Sequence, residues 1–373
     1  MRACSTKPLV LVDWLDVMQR FLIAFFLTCF TFVPASQAQL WHALPPISAT
    51  IGQPQAQFSN DEKKVFYLNG DGKVENIWSV VVADKYGRII AGPKNPPVQI
   101  TKFTDRGVAR FFHLLGSSDI LYMRATDNGK DYHIYRIADD GSGAPQDITP
   151  GPDGVTNIIL GASYNGRYVY YTSNKVNRDK TDVYRYDTQQ YTSEDVFPND
   201  KDYVALAWSR DQTKLLMERP STGELSLYDM ETTERDLITP PNNYPIGEAI
   251  LDPISQDIII LQQQHKMADA MMLAFERPLN SGEWKSYKNN GDRIEFSPSG
   301  KYEIAFGYGM GDWSVHERSS GTELPLPPRT YPLAFSPKET MLLYSRSIND
   351  GDNSLLYLYD ISKGSTTELP TMR

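Results

Sequence analysis

Cysteine is nearly missing from this chain. Only Cys4 and Cys29 occur, and both fall in the first 38 residues. The stretch beyond them therefore offers no disulfide framework, no thiolate metal site and no cysteine nucleophile. Histidine is scarce too. His42, His113, His133, His265 and His316 stand far apart, and none are spaced as His-x-His or His-x-x-x-His, so no metal site is expected. Basic excess is absent as well. The net charge is −9, which weighs against nucleic acid or an anionic membrane surface as a partner. No long amphipathic helical window is present. Met267 to Phe275 reads as a distorted strand or loop, with a turn or two of helix as the alternative.

One apolar run stands out. Phe21 to Val33, preceded by Arg20 and followed by Ser36-Gln37-Ala38, has the order of a secretory signal peptide and is short for a membrane span. Residues 1–38 are read as that signal, cleaved before Gln39. Asp13 and Asp16 sit oddly in a basic leader, so Met18 is the expected translation start. The protein is expected to be periplasmic or secreted, with no transmembrane segment after cleavage. Removing the signal takes away three basic and two acidic residues, leaving the remainder one unit more acidic.

The remainder is repetitive. A unit recurs in which an apolar residue precedes a Ser-x-x-Gly-Lys-like turn. An apolar strand follows, then a strand ending near Tyr-x-x-Asp, then a short strand ending in Ile-Thr or Leu-Pro. The clearest turns are Ser163 to Arg167 and Ser297 to Lys301, with variants at Ser59, Ser209 and Ser336. Third strands end at Asp187, Asp229 and Asp360, and closing strands at Thr101, Thr149 and Thr239. Residues before the turns are Phe58, His113 or Leu114, Ala162, Trp208, Leu251, Phe296 and Phe335. They recur about every 39 to 55 residues, near the length of one four-stranded blade. Short runs rich in Val, Ile, Leu, Tyr and Phe between Gly, Asn, Asp and Pro turns are strands. One blade cannot bury both its faces; a ring of blades can. The expected fold is all-β, a seven-bladed propeller of four-stranded antiparallel blades over residues 54–373, with six blades as the alternative. Residues 39–53 are expected to pack on it as a leader.

On these motifs the chain resembles the TolB-type WD40-like (PD40) propeller repeats, also found in the propellers of prolyl-oligopeptidase-like enzymes. The resemblance implies fold more than function, because the turn Gly, Ser and Asp are structural residues. TolB carries a separate α/β domain ahead of its propeller, and no such stretch is seen here. The prolyl-oligopeptidase-like enzymes carry a hydrolase domain with a Gly-x-Ser-x-Gly nucleophile elbow. Gly161 to Gly166 has one residue too many and coincides with a blade turn. Oligogalacturonate lyases are similar to this repeat type and hold a histidine metal cluster; the histidines here do not obviously converge.

Other candidates read as structure. Asp350 to Ser354 and Asn69 to Gly72 lack the Gly and Glu that a Ca²⁺ loop requires and suit hairpin turns. Glu248, Asp252, Asp292 and Glu295 lie near first strands, but a glycosidase pair needs a carboxylate separation that only coordinates give. Binding is expected on the face where second-to-third and fourth-to-first strand loops emerge. The residues expected there are Arg106, Tyr203, Arg219, Tyr244, Tyr308, Trp313, Arg329 and Tyr331, with Lys175, Arg178 and His265 nearby. The favoured function is a non-catalytic exported propeller without cofactor, binding a protein or peptide of the cell envelope at that face and the channel mouth. The alternative is a propeller polysaccharide lyase or glycoside-processing enzyme, and a third reading is a structural envelope component.

Overall fold

The computed structural model describes Gln55 to Pro370, apart from residues 71–73, 93, 115, 164–165, 210, 256, 265–271, 280–281, 288–292, 307–312 and 348–353. The expected signal, the leader, His42, His265, Asp292 and Tyr308 lie outside the described residues.

The described residues form seven antiparallel sheets in succession and contain no helix. Six sheets have four strands, paired in chain order. The seventh, blade 6, has three described strands, and the isolated bridge between His316 and Glu323 stands where its fourth would lie. This is a seven-bladed β-propeller. The first strands are Ala56–Phe58, Val108–His113, Asn157–Ala162, Val204–Trp208, Ile246–Leu251, Arg293–Phe296 and Thr330–Phe335. Each ends on the residue that the repeat places before its turn. Met272–Pro278 is the third strand of blade 5, so the strand reading of that region holds where it is described.

The Ser turn has a repeated mechanism. In blades 1, 3, 4, 6 and 7 the hydroxyls of Ser59, Ser163, Ser209, Ser297 and Ser336 each accept the amide five residues on, at 2.9–3.1 Å. The Ser carbonyls accept the amide three residues on, from Glu62, Gly166, Gln212, Gly300 and Glu339. That residue has positive φ in all five blades, between 56° and 77°, which is why Gly recurs there.

The Tyr-x-x-Asp acid caps the next turn. Asp229 accepts the Glu231 and Thr232 amides, each at 2.9 Å, and Lys214 at 3.0 Å. The Thr232 amide and Lys214 hold its carboxyl down to about 2. Asp187 does the same with the Gln189 and Gln190 amides and Arg167. The basic residue after one turn is thus bonded to the acid before the other. The Ile-Thr closure also has a reason: the Thr101 and Thr149 hydroxyls accept the Ile77 and Ile134 amides at 2.9 and 2.8 Å, finishing third strands whose fourth partners are two residues long.

Cores lie between blades. Phe66 and Ile77 of blade 1 pack with Phe111, Ile120 and Tyr122 of blade 2. Ala56, Phe58 and Val65 of blade 1 pack with Met341, Leu343 and Leu358 of blade 7, so the ring closes through apolar contact between its first and last units. Buried amides bridge other seams. Gln262 of blade 5, fully buried, donates to the Ile294 carbonyl at 2.8 Å and accepts the Ile294 amide at 2.9 Å.

Candidate functional site

Antiparallel pairing divides the turns between two faces. First-to-second and third-to-fourth turns share one; second-to-third and fourth-to-first loops share the other. The first face is stitched. Asn60 of blade 1 donates to the Leu114 and Ser117 carbonyls of blade 2. Glu62 accepts the Lys338 amide of blade 7 at 2.6 Å. Glu339 of blade 7 accepts the Ser299 amide and hydroxyl of blade 6, both at 2.7 Å. Arg318 of blade 6 pairs with Asp252 of blade 5 at 2.7 Å. Asp252 therefore serves this seam.

The opposite face carries loops with charged and aromatic side chains, and a pocket of about 230 Å³ lies there between blades 2 and 3. The hairpin joining the second and third strands of blade 2 supplies Arg124, Thr126, Asp127, Asp131, His133 and Tyr135. The loop entering blade 3 supplies Gly151, Pro152 and Asp153. His133 is 7% exposed, and its Nδ1 lies 2.7 Å from the Asp147 carboxylate. Strand pairing explains this contact. Tyr135 is opposite Asp147 across the third and fourth strands, which makes His133 its diagonal neighbour on the same face. Asp131 accepts the Gly154 amide at 2.6 Å and also bonds Asn128. Arg124 is held by Asp105 at 2.7 and 2.9 Å and by the Arg106 carbonyl at 3.0 Å. Burial and the nearby Asp147 charge raise the Tyr135 phenol above its usual range.

Of the residues expected at this face, Arg106 is the one beside the pocket. It donates to the Thr126 carbonyl at 2.5 Å and lies 3.8 Å from Asp127. The others are spread around the ring. Tyr203 is buried, bonds Glu224 and lies under the Arg235 guanidinium. Arg219 pairs with Asp202 at 2.7 Å. The half-buried Tyr244 sits in the loop entering blade 5, where its carbonyl accepts Gln263 at 2.8 Å. Trp313 and Tyr331 meet edge to face at 4.9 Å. Arg329 is exposed with φ +59°. Lys175 lies over Tyr184 at 3.8 Å. The structure thus brings together Trp313 with Tyr331, and Arg106 with the blade 2 hairpin, but not the set as a whole. His133, Tyr135, Thr126 and Asp153 line this pocket and are not among the residues expected at this face.

The remaining described histidines, His113 and His316, serve separate contacts. His113 stacks on Phe66 and lies 3.3 Å from Asp139; burial lowers its proton affinity and Asp139 partly offsets this. His316 lies 2.9 Å from the Ser314 hydroxyl. Glu248 and Glu295 stand in the first strands of blades 5 and 6. Among the described residues, no three acidic, His or Cys side chains converge as metal ligands. No helix among them is long and apolar enough to cross a membrane. A second groove of about 510 Å³ lies between blades 3 and 4 on the stitched side, lined by Tyr168, Arg185, Asp211 and Tyr228 among others.

No family model matches the chain. Over 111 residues it is 30% identical to the dipeptidyl aminopeptidase BIII of Pseudoxanthomonas mexicana; the matched stretch is 29% of this chain and only 16% of that enzyme's length. A prolyl endopeptidase superposes with a TM-score of 0.57 at 10% identity, covering 97% of this chain and 56% of that one. An oligogalacturonate lyase from Vibrio parahaemolyticus superposes at 0.53 and 13% identity, covering 85% and 86%. TolB from Acinetobacter baumannii superposes at 0.48 and 14%, covering 82% and 79%. At these identities the structural likeness is one of fold: the chain shares the β-propeller of the prolyl endopeptidase and the lyase.

Proposed function

We propose that this is an exported binding propeller that offers its loop-rich face to a protein or peptide of the cell envelope. The observation that carries this reading is the stitching of one face by its Ser turns, which leaves the loops opposite for a partner. Side chains from the Ser turns are spent on neighbouring blades, through Asn60, Glu62 and Glu339. The loops opposite hold exposed cations and aromatic groups, among them Lys175, Arg178 and Arg329 and the Trp313–Tyr331 pair. Rings of Tyr and Trp with Arg suit protein recognition. A rigid ring with variable loops is a common platform for it. Export rests on the signal read in residues 1–38.

The test is site-specific photo-crosslinking in envelope extract. A crosslinker at Arg329 or Arg178 should capture a partner, and one at Glu231, on the stitched face, should not. Capture only from Glu231 overturns the reading. A second reading, a polysaccharide-processing enzyme, is favoured by His133, Arg124 and Asp131 meeting in one pocket and agrees in fold with the oligogalacturonate lyase. Release of reducing ends from pectin or a neutral glucan by the purified protein would replace the first reading with the second.

A further inference from the structure

We infer that the pocket between blades 2 and 3 is a site for one neutral sugar ring. The inference rests on the balance of donors and acceptors in its walls and does not depend on a protein partner.

Acceptors dominate. Asp127, Asp131 and Asp153 line the pocket, and a carboxylate only accepts. The Thr126 hydroxyl gives its proton to Asn128 at 2.9 Å, so its lone pairs are what it offers. His133, nine-tenths buried, directs Nδ1 to Asp147. Nε2 is the ring nitrogen left for a ligand. The one guanidinium in the wall, Arg124, spends Nε on the Arg106 carbonyl and Nη2 on Asp105; its Nη1 and the Tyr135 phenol are the side-chain donors left in the wall. A fitting ligand must therefore bring mostly donors, with an acceptor or two for Arg124 and Tyr135, as a hydroxyl does.

Charge and size narrow the class. Three carboxylates repel an anion such as a uronate. A metal ion lacks a converging ligand set among the described residues. Arg106, 3.8 Å from Asp127, offsets one of the acids, and putrescine tests whether the others take an ammonium. Hydroxyls donate without carrying charge. Tyr135 and Pro152 add apolar surface for the C–H face of a ring. The volume of about 230 Å³ is below the roughly 300–1,000 Å³ of pockets for drug-sized ligands, so about one six-membered ring fits.

The test titrates the full chain, by saturation-transfer NMR and calorimetry, with methyl glycosides of glucose, galactose, mannose and N-acetylglucosamine. Galacturonate and putrescine are the charged contrasts. At least one neutral glycoside should bind with Kd of about 1 mM. His133→Gln should weaken it by at least about tenfold. Asp153 is exposed, so Asp153→Asn leaves the fold intact and should weaken binding by at least about threefold. A trisaccharide binding at least as tightly as the single ring would place the natural ligand at a glycan end rather than as a free sugar. Failure of every neutral glycoside, equal binding by both variants, or binding of putrescine or galacturonate alone overturns the inference. Partner capture at Arg329 is read separately, so either proposal can fail without the other.

Discussion

Glu218 lies in the second strand of blade 4, between Leu225 and Val204 on the flanking strands. Burial pushes its carboxyl up to about 7, from an ordinary value of 4.5. The sign of the consequence follows from which state ionises first. Below about 4.5 the group is protonated whether the chain is folded or not. Between 4.5 and 7 the unfolded chain loses its proton first, so stability falls as pH rises. Above about 7 the full penalty is present, at most about 3 kcal/mol. Glu218→Gln should therefore stabilise the protein at pH 8 and leave it nearly unchanged at pH 4. Urea unfolding at pH 4, 6 and 8 measures this, and equal midpoint shifts at all three would contradict it.

The blade is the next level, and its turns bear much of its local order. At Gly300 a Cβ would lie 2.8 Å from both Ile254 and Pro253 of blade 5, on a backbone with φ +77°. At Gly321 the φ is +69° but the space is open. Ala at Gly321 meets only the left-handed backbone strain, about 1 kcal/mol. Ala at Gly300 must also displace a neighbouring blade, and about 2–3 kcal/mol is expected. Thermal melts of the two variants should separate by several degrees, with Gly300→Ala lower. The bulges belong to this level too. First strands shift register in blades 2, 3, 4, 5 and 7, which adds bend and twist to the innermost strand of those blades.

For the whole ring, closure is the event that distinguishes a propeller from a row of blades. Among the described residues, no strand of blade 1 enters the sheet of blade 7. The seam is apolar packing between them, together with the Glu62 carboxylate on the Lys338 amide and the Thr340 hydroxyl. Glu62→Ala should cost about 2–3 kcal/mol, since bonds to a charged group are lost and a partly buried amide is left without its acceptor. Glu234→Ala, at an exposed acid on a blade turn, should cost under about 0.5 kcal/mol. Chemical unfolding of the two variants compares them, and similar losses would show that the seam does not depend on Glu62.

Much of this fold was legible in the residues because its information is local. The Ser hydroxyl, the residue with positive φ and the Asp that accepts the amides of its own turn act within five residues of themselves, so Ser163 to Arg167 and Tyr184 to Asp187 carried their meaning in linear order. The residues before the turns gave every first strand its end, and their spacing gave seven blades. Which residues share a pocket was not local. His133 meets Asp147 only because the strands around Tyr135 pair in one register, and the sequence does not state that register. Arg106, Tyr203, Arg219 and Tyr244 were all placed by topology on one face, yet they belong to different blades or spend their polar groups on neighbours. Glu62, Glu339 and Gln262 read as ordinary polar residues in the chain. They became seam residues when ring closure brought distant blades within hydrogen-bond reach, because loop closure sets contacts that no short stretch encodes.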